Sequence, residues 1–447
     1  MPVAFPSIRL GIIVSRMIRL MTLAPGHFHA ALVQKQMLHG VYPRSYVYAP
    51  LDDDLAVHLA RIAGFNARPD NPTAWELDVR AGANYLERFL REQPGNAVVI
   101  AGRNRPKIDL ILAAVSNGLC VLADKPWVIR PEDFPKLERV FAEADLREAF
   151  AWDMMTERFE IASILQRELI RDPDVFGTWT TGSPDKPALC LESVHYLKKT
   201  VAGVPLRRPA WWFDVEVAGE ALADVGTHLA DLALWFISSE TPNPIDYRQD
   251  VRVIDACTWP TPLTQEQFGV LTGLPALPPE LMVQAGEHYL YRGNGTTNVQ
   301  IRGIHTRLTT LWDYEAEPGR ADSHEAVAIG TEARVGIRSN ANDGSRSVLF
   351  VAANDPAGHP DVVDAMKHWC DDWQDHYPGL VVDDAGCEVV IRIPKALQTG
   401  HEEHFAAVFA EYRHYFANPK LIPKWERANL LAKYFITTRA VELARCR

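Results

Sequence analysis

Between Met17 and about Phe150 the chain alternates short apolar runs with amphipathic stretches, and this constrains its fold more than any other feature. The runs Ile18 to Ala24, Ser45 to Ala49, Ala97 to Ala101 and Cys120 to Ala123 read as buried strands. Helical patterns lie between them at Ala30 to Leu38, Leu55 to Ala63, Ala83 to Arg91, Ile108 to Asn117 and Pro131 to Ala144. Such β/α alternation specifies a doubly wound parallel sheet with right-handed crossovers.

After a transition at Ala151 to Met155, a helical pattern runs from Glu157 to Ile170, with Ile161, Ile164, Leu165 and Leu169 on one face. The texture then changes to short β-rich runs at Phe176 to Thr181, Val251 to Cys257, His288 to Tyr291, Thr297 to Ile301, Leu308 to Leu311, Ala333 to Ile337, Ser347 to Val351 and Glu388 to Ile393. These predict an α+β domain with a large, mostly antiparallel open sheet. Gly400 to Arg445 reads as two helices joined by Asn418 to Pro423. At 447 residues the chain exceeds what one core organises. The expected division is an extension at 1–16 (or an upstream start, since Met17 opens the pattern), an α/β domain at 17–150 and an α+β domain at 151–447.

The net charge of −11 excludes nonspecific nucleic-acid binding, which needs a basic surface. No apolar run reaches the length of a membrane span. Six scattered cysteines without a C-x-x-C spacing read as reduced thiols of a cytoplasmic protein.

Ligands of open α/β sheets bind at the carboxyl ends of the strands, so the polar residues there are the candidates. Leu23-Ala-Pro-Gly26-His27-Phe28-His29-Ala30 leads from the first strand into a helix. Against a G-x-G-x-x-G dinucleotide turn, Ala24 stands at the first glycine, Gly26 at the second and His29 at the third. No metal is expected, because no Cys or acidic ligand clusters with these histidines in the sequence. Asp52-Asp53-Asp54, after the second strand, suits a ribose and repels a 2′-phosphate, which favours NAD over NADP; equally, these residues complement a helix dipole. Gly102-Arg103-Asn104 ends the fourth strand and suits a nicotinamide ribose, or simply meets solvent. The next strand ends in Asp124-Lys125-Pro126, a cation at the ligand edge of the sheet. Further on, Asp224, His228 and Asp231 fall at i, i+4 and i+7 of a helical pattern, a spacing at which a carboxylate orients a histidine for acid–base work or merely meets it on a helix surface. Ser193-Val-His195-Tyr196-Leu-Lys198-Lys199 and Trp211-Trp212-Phe-Asp214 join polar groups to aromatic faces, as carbohydrate sites do, though the tryptophans also read as core. His401-Glu-Glu-His404 is one residue short of H-E-x-x-H and reads as a helix start.

The glycine turn, the Asp124-Lys125-Pro126 step, Glu157-Arg158-Phe159 and the Asp224-x-Gly226-x-His228 segment together resemble the Gfo/Idh/MocA oxidoreductase family. Trp312-Asp-Tyr314 and Trp425-Glu426 look like its branch with an extended "putative oxidoreductase" C-terminal domain. The resemblance covers nearly all of the chain from Met17. It implies a Rossmann domain carrying NAD, with NADP the alternative, and hydride transfer to or from a sugar, sugar derivative or polyol. It assigns Lys125 beside the nicotinamide ribose and reacting hydroxyl, His228 as general base, and Asp224 as contacting or positioning substrate. Gly26, His27, Phe28, His29, Asp52, Arg103, Asn104 and Lys125 then form the cofactor site. Arg158, His195, Lys198, Trp212 and Asp214 form the substrate site, and the open sheet implies a homodimer or homotetramer. Asp124 stands where the family more often has glutamate, and the turn keeps a single glycine. Two alternatives share these residues: an NAD-dependent glycoside hydrolase working by transient oxidation and elimination, and a non-catalytic sugar-binding protein.

Overall fold

The computed structural model describes residues 17–201, 204–281, 288–340 and 346–445, so the expected extension at 1–16 lies outside the described residues. Strands β1 (Leu20–Leu23), β2 (Arg44–Ala49), β3 (Glu76–Ala81), β4 (Ala97–Ile100), β5 (Cys120–Ala123) and β6 (Ala151–Asp153) form one sheet in the order β3-β2-β1-β4-β5-β6. Every pairing in it is parallel. Helices α1 (His29–Leu32), α2 (Asp53–Ala67), α3 (Tyr85–Glu92), α4 (Lys107–Ser116) and α5 (Phe134–Arg147) are the crossovers. β1, β4 and β5 are buried throughout because helices cover both faces, which is why they read as unbroken apolar runs.

The second sheet has nine strands. After α6 (Ile161–Arg171) come β7 (Leu189–Lys198), the hairpin of β8 (Thr200–Val201) and β9 (Val204–Pro205), α7 (Val215–Ala218), α8 (Gly226–Ser238) and α9 (Tyr247–Asp250). Then follow β10 (Val251–Thr264), α10 (Gln265–Thr272), β11 (His288–Ile301), β12 (Ile304–Glu315), β13 (Ser323–Ile329), β14 (Ala333–Asn340) and β15 (Arg346–Ala353). α11 (His359–Asp372), β16 (Val381–Asp384), β17 (Val389–Arg392), α12 (His401–Ala417) and α13 (Lys424–Arg445) complete the chain. The sheet order is β10-β11-β12-β7-β13-β14-β15-β17-β16, antiparallel except for β12 beside β7. Its inner face shares a core with α6, α8, α11 and α13.

The two C-terminal helices return to the first sheet. Phe405, Val408, Phe409 and Tyr412 of α12 join the core over β1, β4 and β5, and the Tyr412 hydroxyl donates to Cys120 O at 3.1 Å. From α13, the Tyr434 hydroxyl accepts from Trp127 N at 2.9 Å. The carboxyl ends of β1, β4 and β5 therefore face the second domain across the inter-domain crevice.

Three local expectations are corrected. The helix expected over Ala30 to Leu38 stops at Leu32, where the Trp75 indole takes Gln34 O (2.6 Å) and the chain turns inward. Phe176 to Thr181 forms only a single bridge, Trp179 with Gly330. β3 and the central β7 are strands that the apolar runs did not reveal, because both alternate with polar residues.

Candidate active site

The turn after β1 is sealed to the end of β4: Gly26 N and His27 N both donate to Ala101 O at 3.0 Å. Ala24, at the first glycine position, takes φ 47°, a left-handed conformation that costs an alanine about 1 kcal/mol. The close approach instead demands glycine elsewhere, since a Cβ on Gly102 would stand 2.3 Å from Ala24 O. On Gly26 it would stand 3.1 Å from Asp54 Oδ2. Asp52 caps α2, its carboxylate accepting from Leu55 N at 3.1 Å. Arg103 reaches Asp54 at 3.2 Å and lies over the Trp211 ring, while the Trp211 indole donates to Asp54 Oδ1 at 3.2 Å. Asn104 is spent inward, donating to Ala218 O at 2.6 Å and accepting from Lys107 Nζ at 2.6 Å. Burial pulls the Lys107 ammonium down to about 8.

Asp124, buried at the end of β5, gathers the two turn histidines. His29 Nδ1 lies 3.0 Å and His27 Nδ1 3.3 Å from its Oδ2. The expectation that no acid clusters with these histidines is thereby corrected, because the parallel register brings the β1 and β5 ends together. Among the described residues, His27, His29 and Asp124 offer donor atoms all within 4.8 Å of one another, and of these His29 Nδ1 and Asp124 Oδ2 are hydrogen-bonded. Burial lowers the His29 ring to about 3, against the pull of Asp124, so it stays neutral. Phe28 packs against the two histidines and His401 in tilted and edge-on contacts (ring centroids 4.5, 4.4 and 6.3 Å). His401 begins α12, as expected of a helix start, with its ring 5.3 Å from that of His29.

Lys125 crosses to the second domain, its Nζ donating to Asp224 Oδ1 at 2.6 Å. Both side chains are largely buried. Burial opposes ionisation of Asp224, and the Lys125 charge overrides it, holding the carboxyl below its usual range. α8 begins only at Gly226, so Asp224 sits in the preceding turn and the expected pairing with His228 does not form. His228 Nδ1 is buried without a hydrogen-bond partner. Burial first, and the Lys125 charge second, keep this ring well below its usual range and therefore neutral. Asp231 is drawn elsewhere, to Arg158 (2.6 Å) and Lys433 (3.0 Å).

Sheet register supplies the opposite wall. β12 places Trp312 beside His195 of β7, and their rings stack at 4.7 Å. β13 pairs Ser323 with Val194, which brings Asp322 to His195 Nδ1 at 3.2 Å. His195 Nε2 meets Ser193 Oγ at 2.8 Å, so both ring nitrogens are engaged. Lys199 also holds Asp322, at 2.5 Å. Trp212 stacks on Tyr291 at 5.2 Å, and Arg208 lies over the rings of Trp212 (4.2 Å) and Trp312 (5.3 Å).

Three other candidates do not join this cluster. Lys198 points to the exposed Glu315 (2.7 Å), and Asp214 caps α7 by accepting from Glu216 N (2.9 Å). Arg158 is saturated by Asp231 and by Glu426 (2.8 Å). It borders a separate cavity of about 1250 Å³ beside β6, also lined by Trp152, Trp235 and Trp425. Asp322, Arg208 and Tyr291 escaped the sequence reading, since no local motif marks them.

The family model described as "Putative oxidoreductase C terminal domain" matches residues 165–445. A "putative oxidoreductase" from Parabacteroides merdae ATCC 43184 is similar at 38% identity over 97% of this chain and 98% of that one, with a TM-score of 0.93. GenD2 from gentamicin A biosynthesis, solved with NAD, shares the fold at 13% identity (98% and 97% covered, TM-score 0.55). So does KijD10, a 3-ketoreductase from Actinomadura kijaniata solved with TDP-benzene and NADP, at 12% identity (96% and 98% covered, TM-score 0.55). No curated protein matches the chain. The chain belongs to the Gfo/Idh/MocA oxidoreductases, in the branch that carries this C-terminal domain.

Proposed function

We propose that the chain is an NAD(P)-dependent oxidoreductase, with NAD preferred, acting on a CH–OH group of a sugar, sugar derivative or polyol. The observation that carries this reading is the Lys125–Asp224 pair at 2.6 Å, at the carboxyl end of β5, with the unpartnered, neutral His228 within reach of the Lys125 charge. Residues 17–150 would hold the cofactor and residues 151–447 the substrate.

The crevice fits a dinucleotide. The Gly26–His27 turn approaches β4 too closely for a Cβ at Gly102, leaving main chain rather than side chains to meet a pyrophosphate. Asp52, at the end of β2, suits the adenosine ribose, and its charge disfavours a 2′-phosphate. Arg103 edges the same groove, while Asn104 acts from behind by fixing Lys107 and the second domain. Solved relatives carrying NAD and NADP on this fold support the reading.

The nicotinamide, when bound, accepts or returns the hydride. Asp224 fixes the Lys125 ammonium so that it faces the oxygen on the reacting carbon and stabilises negative charge developing there. His228 takes the hydroxyl proton on oxidation and returns it on reduction. Its burial keeps the ring in the accepting form and makes it release the proton readily. His195, locked between Ser193 and Asp322, would orient the sugar, with Trp212 and Trp312 packed behind it as the apolar wall.

The test is Lys125→Met, assayed with NAD or NADH against a panel of sugars, polyols and their keto forms. Turnover should fall at least about 10³-fold, the scale for losing a stabiliser of developing charge, while NADH affinity by fluorescence titration stays within about 3-fold, under 1 kcal/mol. Retained turnover, or a wild-type protein that binds neither NADH nor NADPH, would overturn the reading.

A further inference from the structure

Arg208 is a partly buried cation that the chemistry above leaves unused. Its backbone N–H donates to Leu271 O at 2.9 Å, which anchors the segment while the guanidinium lies against both Trp212 and Trp312, whose rings meet edge to face at 5.3 Å. Among the described residues no carboxylate pairs with it, and its Nε is buried without a hydrogen-bond partner. The carboxylates whose charge reaches it are Asp224 and Asp322, while burial keeps the Tyr291 hydroxyl protonated and neutral. Both carboxylates are already committed, Asp224 to Lys125 and Asp322 to His195 and Lys199. Arg208, packed on the Trp312 ring that stacks on His195, therefore carries a charge with no ion-pair partner among the described residues.

Burying a cation without a partner is costly. Cation–π contact with the two indoles recovers part of that cost, but it gives the buried Nε–H no acceptor. The guanidinium is a planar fork matched to a carboxylate or phosphate. A neutral sugar would leave the charge unanswered.

We propose that Arg208 is the anion-recognition residue of the substrate pocket, and that the substrate carries a carboxylate or phosphate group seated on its guanidinium. This rests on the crevice being the substrate site, as argued under the proposed function.

The experiment measures binding of D-glucuronate, D-glucose 6-phosphate and D-glucose to the NADH-loaded protein, by calorimetry and by fluorescence of the two tryptophans. At least one anion should bind about 30-fold tighter than glucose, the scale of a charge-assisted hydrogen-bonded contact. Which anion it is separates a sugar acid from a sugar phosphate. Arg208→Gln should reduce that preference to within about 3-fold, and Arg208→Lys, which keeps the charge without the fork, should fall between. NADH affinity should be unchanged in both. Equal binding of all three sugars by the wild type, or a preference that survives Arg208→Gln, would overturn the proposal. Arg208→Lys and the wild-type comparison decide it if Arg208→Gln does not fold. Absent NADH binding would instead remove the oxidoreductase reading, and the anion preference, measured without cofactor, would still stand or fall separately.

Discussion

Lys433→Met tests how the two domains are clamped. Lys433 is almost wholly buried on α13, its Nζ donating to Asp153 of β6 (2.8 Å) and to Asp231 of α8 (3.0 Å). Without the ammonium, Asp231 keeps its two-point contact with Arg158 (2.6 and 2.7 Å). Asp153 keeps only the Tyr434 hydroxyl at 2.9 Å. Methionine fills the volume of the lysine stem, so the loss is mainly electrostatic. Removing one partner of a buried pair costs about 3–5 kcal/mol, but protonating Asp153 sets a ceiling. Holding an aspartate of unfolded pKa about 3.9 protonated costs about 4 kcal/mol at pH 7 and about 1.5 kcal/mol at pH 5. Burial already pushes the Asp153 carboxyl above its usual range despite Lys433, and the substitution pushes it further. A raised folded pKa gives stability that is complete at low pH and lost as pH rises. Urea unfolding followed by tryptophan fluorescence should therefore show a loss of about 3–4 kcal/mol at pH 7, shrinking to about 1–2 kcal/mol at pH 5. Adding Asp153→Asn should recover at least about half of the pH 7 loss and flatten the pH dependence, since no charge then stays unpaired. Equal losses at both pH values would refute the reasoning.

Other outcomes follow from the crevice. Asp52→Ser keeps a good helix cap while removing a charge, so stability should hold within about 0.5 kcal/mol and the NADP-to-NAD preference, read by titration, should rise about 10-fold; an unchanged preference would remove Asp52 from cofactor choice. Gly102→Ala forces a Cβ against Ala24 O and should weaken NADH binding or stability by about 1–3 kcal/mol, whereas wild-type values in both would show that the turn can open. Because His228 stays neutral until well below pH 6.5, kcat/KM should hold level as pH falls through that value. An acid limb centred near 6.5 that disappears in His228→Gln would show that burial does not hold this ring neutral.

What the sequence shows of this molecule depends on how each contact is encoded. β1, β4 and β5 are legible because burial on both faces demands uninterrupted apolar residues. β7 is not, because polar residues stand on both of its faces: Glu192 on one, and Ser193 and His195 on the other, break the run that would announce it. The site divides the same way. Lys125, Asp224 and His228 stand out by residue type at strand and helix ends, and the resemblance supplies their roles. Their partnerships were misread, since helical spacing pairs Asp224 with His228 only if the helix already includes Asp224. The turn at Ala221, whose carbonyl accepts from Gly226 N at 2.9 Å, starts α8 later and frees Asp224 to meet a lysine 99 residues away. Local spacing cannot foresee a stronger partner from another domain. Asp322 and Trp312 go further, for they reach His195 only through the β13 and β12 registers against β7. Neither register is readable until the full nine-strand order is known. The wall that would select the substrate is thus built from long-range pairing, while the lysine that would act on it sits in a short motif. For that reason the sequence points to a reaction type long before it points to what the crevice accepts.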